Sequence, residues 1–257
     1  MKIAIITDIH EDKKRLDKTF KILESQNVDQ IICLGDMVGF CVPFYPYLNS
    51  RDSNYVVDMI RQNCSDVVIG NHDLFALKKI PSNPLFFNYP ENWYELEFDV
   101  RKKMSKEKIY LYEHNELSTL LSKRNLDYLD TLPEYIFKDI NGDRVLLSHY
   151  YFPDITGSST FEAENSSDLD VHFSFMKENN CILSFTGNDH IEGVRLFYEE
   201  TQELIEFNSF SRLKRDLLAI NCPTISKGTF RNGFTIFDTD TYTIEACKLN
   251  SKILKIK

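Results

Sequence analysis

The amino-acid sequence predicts an α/β protein in which a parallel β-sheet carries polar side chains along one edge. Three short apolar runs in the first 70 residues alternate with two helix-type patterns, in the order strand, helix, strand, helix, strand. Each apolar run is followed within two residues by acidic or amide side chains, with histidines close behind two of the runs. Since parallel strands are joined by right-handed crossovers, this order favours neighbouring strands with helices packed against the sheet.

The first strand is predicted at residues 3–6, because four consecutive apolar residues are typical of a strand that is covered on both faces. A helix follows, since apolar residues in the range 16–23 recur at the spacing of one helix face. The apolar runs 28–34 and 67–69 predict the second and third strands, and the pattern at 56–60 predicts a helix between them.

The rest of the chain is less regular. Residues 74–133 are predicted to be mostly helical, with Ser122 as an N-cap, and Asn141-Gly142 predicts a hairpin turn. No internal repeat or flexible linker is found, so residues 1–257 are expected to form one domain with a helical insertion at about 74–133. The other predicted elements are a helix at 167–180, strands at 137–140, 145–148, 181–186, 194–198, 204–207, 234–237 and 242–249, and a turn at Asn232-Gly233.

Composition excludes several classes of protein. Apolar residues make up 42% and charged residues 27% of the 257 residues, which excludes disordered and collagen-like chains. The apolar run at 3–6 is too short for a signal peptide or a membrane span, so a cytoplasmic protein with no membrane partner is expected. The six cysteines include no C-x-x-C pair, which favours reduced thiols. The formal charge of −9 argues against stable binding to nucleic acid.

Five polar clusters follow predicted strands and are expected to meet at one edge of the sheet, where open α/β sheets bind ligands. Aspartate, asparagine and histidine offer the oxygen and nitrogen donors that divalent transition metals accept. Each cluster alone is typical of a turn or a cap, but five in succession favour a metal site. His114 and His172 lie outside them and are expected to be structural residues. The clusters are Asp8-Ile9-His10, Gly35-Asp36, Gly70-Asn71-His72-Asp73, Ser148-His149 and Gly187-Asn188-Asp189-His190.

These clusters resemble the sequence pattern of the calcineurin-like metallophosphoesterase superfamily, in the form found in its small bacterial members. The pattern is D-x-H, G-D-x-x-G, G-N-H-[DE], a strand that ends in His, and G-H-x-H, and the match runs from residue 3 to about residue 190. The resemblance implies a four-layer α/β/β/α sandwich of two mixed sheets flanked by helices. It also implies a hydrolase that acts on phosphate esters through a centre of two divalent metal ions.

The resemblance assigns the metal ligands residue by residue. Asp36 would bridge the two ions, which lie about 3.5–4 Å apart in such centres. Manganese, iron, zinc and nickel all suit these donors. One ion would be bound by Asp8, His10, Asp36 and His190, and the other by Asp36, Asn71 and His149.

One position departs from the family pattern. Asn188 stands where the first histidine of G-H-x-H normally completes the second metal site. A neutral amide oxygen is a weaker donor for these ions than imidazole, so the second ion is expected to bind weakly. Asp189 follows in the sequence, but its side chain is expected to face elsewhere.

The resemblance also implies the reaction. Two metal ions hold the phosphate and lower the pKa of a bound water, and the resulting hydroxide attacks phosphorus in line with the leaving oxygen. His72 is expected to protonate the leaving group or to hold the phosphate oxygens, and Asp73 to orient the imidazole.

Phosphodiesters or nucleotides are the favoured substrates, and two alternatives stay open. One is a phosphatase of small phosphomonoesters, and the other is a non-catalytic or weakly active binding protein with a single metal site. Aromatic residues crowd the ranges 40–47 and 86–94. They could stack a nucleobase beside the phosphate, or they could attach the inserted segment to the core.

Overall fold

Two six-stranded β-sheets pack face to face in the computed structural model, which describes residues 1–250 and 252–254. The strands are β1 (Lys2–Ile6), β2 (Gln30–Cys33), β3 (Phe40–Cys41), β4 (Asp66–Val67), β5 (Glu116–Leu117), β6 (Tyr135–Ile140), β7 (Asp143–Ser148), β8 (Leu183–Thr186), β9 (Val194–Tyr198), β10 (Gln202–Ile205), β11 (Ser209–Arg212), β12 (Leu218–Asn221), β13 (Gly233–Asp238) and β14 (Thr243–Lys248). The α-helices are α1 (Lys13–Ser25), α2 (Ser53–Asn63), α3 (Asn71–Leu77), α4 (Phe98–Ser105), α5 (Lys123–Asp130) and α6 (Asp170–Glu178). Short 3₁₀-helices occur at Leu48–Ser50, Trp93–Glu95, Tyr112–His114 and Ser166–Leu169.

The first sheet has the strand order β11-β14-β13-β1-β2-β4. Strands β1, β2 and β4 are parallel, and α1 and α2 lie between them in the chain, as the alternation of sequence patterns predicts. Strand β13 pairs antiparallel with β1, so the sheet is mixed. The carboxyl ends of β1, β2 and β4 therefore point to the same edge of this sheet.

The second sheet has the order β10-β9-β12-β8-β7-β6, in which β7, β8 and β12 are parallel and the outer strands are antiparallel. Its hairpin between β6 and β7 turns at Asn141 and Gly142, whose φ angles are 50° and 88°. Positive φ at both central residues is the requirement of a two-residue hairpin loop, and the predicted turn is confirmed.

Three clusters of apolar side chains fill the spaces between the layers. Ile5 and Ile32 of the first sheet pack with Leu147 and Phe185 of the second, which forms the core between the sheets. A second cluster joins the first sheet to α1 and α2, and a third joins the second sheet to α6. The result is helices, sheet, sheet, helix, so the four-layer sandwich with two mixed sheets is confirmed.

Residues 74–133 depart from the prediction that they are mostly helical. Three short helices in this range are separated by long irregular stretches. Prolines at 81, 84 and 90 prevent a continuous helix in the stretch between α3 and α4. The buried ring of Trp93 anchors that stretch through edge-to-face contacts with Phe87 and Tyr89. Ser122 does cap α5, because its Oγ accepts from Asn125 N at 3.3 Å. The organisation of the whole chain as one domain stays a prediction.

The C-terminal region holds two strands that the patterns did not predict, β11 and β12. The predicted turn at Asn232-Gly233 is wrong, because Gly233 begins β13 and the Asn232 amide donates instead to Ile225 O at 2.6 Å.

Among residues 1–250 and 252–254, no helix has the length and apolarity that a membrane crossing requires.

Candidate metal centre

The five polar clusters meet at the carboxyl ends of the central strands. Asp8 and His10 follow β1, Asp36 follows β2, and His149 follows β7, and these four residues are fully or almost fully buried. Asn71 begins α3 after β4, and His190 lies in the loop after β8, where its side chain is 24% exposed. The structure therefore brings together the predicted ligands from both sheets.

Five of the seven predicted ligand positions have a left-handed backbone, with φ between 47° and 68°: Asp8, His10, Asp36, Asn188 and His190. This backbone costs a non-glycine residue on the order of 1–3 kcal/mol. Hydrogen bonds between two loops hold it, since Ile9 N and His10 N both donate to Asp36 O, at 2.8 and 3.0 Å. Asp8 and His10 therefore do not lie in an extended segment, although both side chains reach the same donor group.

The first group of donors consists of Asp8, His10 and His190. The Nε2 atoms of the two imidazoles lie 3.1 Å apart, and His190 Nε2 lies 3.2 Å from Asp8 Oδ1. His10 Nδ1 donates to Gly39 O at 3.0 Å, which leaves the lone pair of neutral His10 on Nε2. Two imidazole nitrogens and a carboxylate that converge on one point fit a divalent cation.

The second group consists of Asp8, Asp36 and His149. His149 Nδ1 donates to Leu34 O at 2.6 Å, so Nε2 is the nitrogen that faces Asp36 Oδ2, 3.2 Å away, and it offers a lone pair to a metal when the imidazole is neutral. Within the described ranges, His149 Nε2 and the nearby Asn71 Oδ1 are buried without a hydrogen-bond partner. Buried acceptors left unpaired cost about 1–3 kcal/mol each, and a bound cation would satisfy both.

The electrostatics of the site favour added positive charge. Burial on its own would raise the pKa of Asp8, but the nearby His190, His10 and His149 hold it well below its usual range. Burial would lower the pKa of His149, but the negative charge of Asp36 raises it to about 10. Buried carboxylates therefore attract a cation, either as protons on imidazole or as metal ions.

Asn188 lies at the edge of the site rather than inside either group. Its backbone N–H donates to Asp8 Oδ2 at 3.1 Å, and its side-chain oxygen lies over Gly157. A Cβ atom on Gly157, whose φ is +73°, would overlap that oxygen, so glycine is required there. Asp189 faces away as expected, because its carboxylate accepts from Asn221 Nδ2 at 3.1 Å.

His72 lies beside the metal ligands, and its partner is not the one that the sequence predicts. Asp73 uses its carboxylate to accept from Val38 N and Gly70 N, at 3.1 and 3.2 Å, so the predicted contact with His72 is wrong. Instead, Glu116 Oε2 lies 2.6 Å from His72 Nδ1. Burial would lower the pKa of His72, but Asp36 and Glu116 raise it to about 9, so the imidazole carries its proton at neutral pH.

Glu116 reaches the site through the small two-stranded sheet. Strands β3 and β5 pair antiparallel, with Cys41 opposite Glu116. Arg51 fixes the other end of this segment, because its Nη2 donates to Ser118 O at 2.8 Å. Glu116 follows His72 by 44 residues and belongs to no recognisable motif, so the sequence carried no signal that could have found it.

Substitution of Glu116 by glutamine is expected to lower turnover by about 10–100-fold while the metal content stays unchanged. Glutamine keeps the size of the side chain but removes the charge that orients and stabilises protonated His72. Steady-state kinetics and elemental analysis of E116Q measure both effects. The matched control is E113Q, because Glu113 is a neighbouring carboxylate that pairs with Arg101 and does not contact His72. Equal losses in the two variants would contradict the assignment.

A cavity of about 780 Å³ opens over the metal ligands. Asp36, Asn71 and His72 lie on its wall, together with Tyr112 and Arg195, which the sequence analysis did not single out. The Tyr112 hydroxyl accepts from Asn71 Nδ2 at 2.8 Å, which fixes the amide group of Asn71 and leaves its oxygen without a hydrogen-bond partner among the described residues. The volume is in the range of small-molecule sites.

The fold and the paired Asp/His groups define a metal-dependent hydrolase of phosphate esters. The family model of calcineurin-like phosphoesterases matches residues 1–192, and the chain belongs to that family. It is therefore a metallophosphoesterase, an enzyme that hydrolyses phosphoric esters, and its family binds divalent metals.

One relative is an uncharacterized protein of Methanocaldococcus jannaschii. The two sequences are 27% identical over an alignment of 270 residues, which covers 98% of this chain and 89% of the relative. Among solved structures, a metallophosphoesterase from Sphaerobacter thermophilus superposes with a TM-score of 0.68 at 18% identity, over 98% of this chain and 89% of that one. A hypothetical protein from Pyrococcus horikoshii OT3 gives a TM-score of 0.56 at 15% identity, over 97% and 89%. At these identities the two structures support the fold alone.

Proposed function

We propose that this enzyme hydrolyses phosphodiester or nucleotide-type substrates at a centre of two divalent metal ions. The observation that carries the proposal is the approach of Asp36, a member of the second group, to an imidazole of the first; Asp8 belongs to both groups, and the family pattern assigns the bridge to Asp36. Its Oδ2 atom lies 3.2 Å from His149 Nε2 and 3.9 Å from His10 Nε2. A carboxylate oxygen that faces an imidazole of each group is placed to touch both ions.

The proposed ligand sets follow the family pattern. The unpartnered donors of His149 and Asn71 support the second site, and the converging imidazoles of His10 and His190 support the first. Asn188 lies beside Asp8, since its backbone N–H donates to Asp8 Oδ2. The first ion would be bound by Asp8, His10, Asp36 and His190, and the second by Asp36, Asn71 and His149.

Two bound ions would neutralise the phosphate charge and make water a competent nucleophile at neutral pH. The protein supplies the rest of the reaction. As a water oxygen bonds to phosphorus and the ester P–O bond breaks, the leaving oxygen needs a proton. His72 holds one on an imidazole that lies 3.9 Å from Asp36 Oδ2, and Glu116 stabilises its charge.

The size and lining of the cavity favour diesters over small monoesters. A single phosphate with a small alcohol fills little of 780 Å³, whereas a diester with two organic groups fills much more. Aromatic side chains on the wall, such as Tyr45 and Tyr112, suit organic groups rather than further charge. Manganese, iron, zinc and nickel all remain compatible with the donor set.

The direct test is hydrolysis by the purified protein after chelation and reloading with each metal in turn. We expect a chromogenic diester to be hydrolysed with a higher kcat/KM than the matching monoester, and manganese to restore activity. Elemental analysis is expected to give two ions per chain at saturation. Turnover confined to monoesters, or full metal loading without diester turnover, would contradict the proposal.

Asn188 is expected to make the second ion the weaker one. The amide leaves that ion with fewer strong donors, so activity rises steeply as manganese is added. Substitution of Asn188 by histidine is expected to tighten the second site by about tenfold or more and to reduce the manganese requirement. Calorimetric titration of metal into the stripped protein and into N188H measures the change.

The matched control is N208H, since Asn208 has a similar left-handed backbone, with a φ of 64° against 68°, and lies exposed outside the site. Any cost of placing histidine on such a backbone appears in both variants, and only N188H gains a ligand. Two equally tight ions in the unmodified protein would show that Asn188 is an adequate ligand.

A further inference from the structure

We propose that the cavity binds a substrate with one phosphodiester group and at least one nucleobase, and that the base stacks on an aromatic rim formed by Phe44, Tyr110 and Phe230. The inference rests on the proposed phosphodiesterase function and adds the substrate class. It depends on three features of the described residues: the exposure of the rim, its link to the metal ligands, and the charge of the cavity wall.

The three rim residues are large apolar side chains that stay exposed at the mouth of the cavity. Phe44 is 45% exposed, Tyr110 is 40% exposed and Phe230 is 49% exposed, and all three line the cavity. They come from distant parts of the chain, so their position around one opening is a product of the fold. Exposed apolar residues scattered singly need no explanation, but a group of them around a pocket marks a ligand surface.

The rim is connected to the metal ligands through short contacts. Tyr45, next to Phe44 in the chain, stacks on His10 with ring centroids 4.9 Å apart and an interplanar angle of 28°. Gly228, two residues before Phe230, lies against the loop that carries Phe44. A Cβ atom added at Gly228 would be 3.4 Å from Phe44 O and 3.5 Å from the Tyr45 ring. The rim and the proposed metal ligands Asp36 and His190 therefore line one continuous cavity.

The charge of the cavity wall favours a substrate with few phosphate groups. Among the described residues that line the cavity, Arg195 is the only lysine or arginine, and its Nη1 donates a long hydrogen bond of 3.4 Å to Ala163 O. Glu162 and Glu164 lie on the same wall. Beyond the proposed metal centre, a polyphosphate chain would meet these carboxylates with one arginine to offset them, whereas one phosphodiester would be held at the metal centre.

The same carboxylates suit the edge of a nucleobase. Exocyclic amino groups of adenine, cytosine and guanine donate hydrogen bonds, and carboxylates are acceptors for them. An aromatic face together with acidic acceptors therefore fits a base better than it fits a lipid or a sugar phosphate. Stacking on an aromatic side chain strengthens binding of a base whatever its identity.

The test compares three substrates on the metal-loaded enzyme. Two are diesters, a dinucleoside monophosphate and a dialkyl phosphodiester, and the third is a dinucleoside tetraphosphate with the same bases, whose phosphates are joined by anhydride bonds. The dinucleoside monophosphate is expected to have the highest kcat/KM, at least about tenfold above the tetraphosphate. In F44A and F230A, the ratio of kcat/KM between the dinucleoside monophosphate and the dialkyl diester is expected to fall about five- to tenfold, mainly through KM.

The control is F210A, because Phe210 is a 75% exposed phenylalanine on β11 that does not line the cavity, and it is expected to leave the ratio unchanged. Melting temperatures of all variants show whether they fold. An unchanged ratio in folded F44A and F230A, or a preference for the tetraphosphate, would overturn the rim assignment while the phosphodiesterase function stands. Failure of the metal-loaded parent to hydrolyse any of the diesters would overturn the function itself.

Discussion

Replacement of Asp36 by alanine will remove more bound metal than any other single substitution among the proposed ligands. Its Oδ2 atom faces imidazole nitrogens of both donor groups, and its Oδ1 accepts from His72 N at 2.9 Å, which orients the carboxylate. The other proposed ligands are each assigned to one ion. Loss of Asp36 therefore weakens both ions at once and also removes a negative charge from between three imidazoles.

We expect the metal content of D36A to fall from about two ions per chain to less than one, and activity to be lost with it. H190A should keep one ion, since His190 belongs to the first group alone. D58A is the control, because Asp58 lies on the outer face of α2, where its partner is Arg61. Elemental analysis after identical dialysis compares the three proteins. A metal content in D36A equal to that of the parent would sink the bridging assignment.

Replacement of His72 by alanine will leave the metal content unchanged and will slow the hydrolysis of diesters with poor leaving groups by roughly 10²–10⁴-fold. His72 is expected to supply the proton that the leaving oxygen takes up. Burial opposes the charge on His72, but Asp36 and Glu116 raise its pKa to about 9 in the metal-free site, which favours the protonated imidazole that a general acid requires. A basic alkoxide needs that proton, whereas an activated aryl oxide leaves without it.

The measurement is the ratio of kcat values for an alkyl and an aryl diester in H72A and in the parent. The control is H114A, because His114 packs on the Phe98 ring in the inserted segment and lies outside the proposed catalytic residues. If both diesters slow by the same factor in H72A, the residue acts by holding phosphate oxygens and is not the acid. Combined with E116Q, the comparison separates the loss of the proton donor, His72, from the loss of Glu116, which stabilises its charge.

The positions of the proposed ligands at the ends of strands could be predicted from the sequence, because the patterns that mark them are local. An apolar run followed by Asp, Asn or His places a ligand at the edge of a parallel sheet, and the pairings of β1, β2 and β4 follow from the alternation with helices. The left-handed backbone at Asp8 and His10 was not predictable, since it is imposed by hydrogen bonds to the loop after β2.

Residues that depend on long-range packing were missed. Glu116 reaches His72 only because a two-residue strand pairs with Phe40–Cys41, and Arg195 reaches the cavity from β9 on the second sheet. Asp73 was the natural choice of partner for His72 because it is adjacent in the chain. In the fold its carboxylate caps backbone N–H groups instead, and adjacency on a helix turns neighbouring side chains apart.

The left-handed backbone shared by five proposed ligand positions has a consequence for how the enzyme acquires its metal. The backbone of the ligand shell is fixed by contacts within the chain, since hydrogen bonds between the loops after β1 and β2 hold Asp8, His10 and Asp36 in place. A shell that is already formed reorganises little to suit one ion over another. Donors of this kind accept several divalent ions, so the ion that fills the shell is decided by what the surroundings supply rather than by the protein. The metal identified after purification would then describe the host and the growth medium as much as the enzyme.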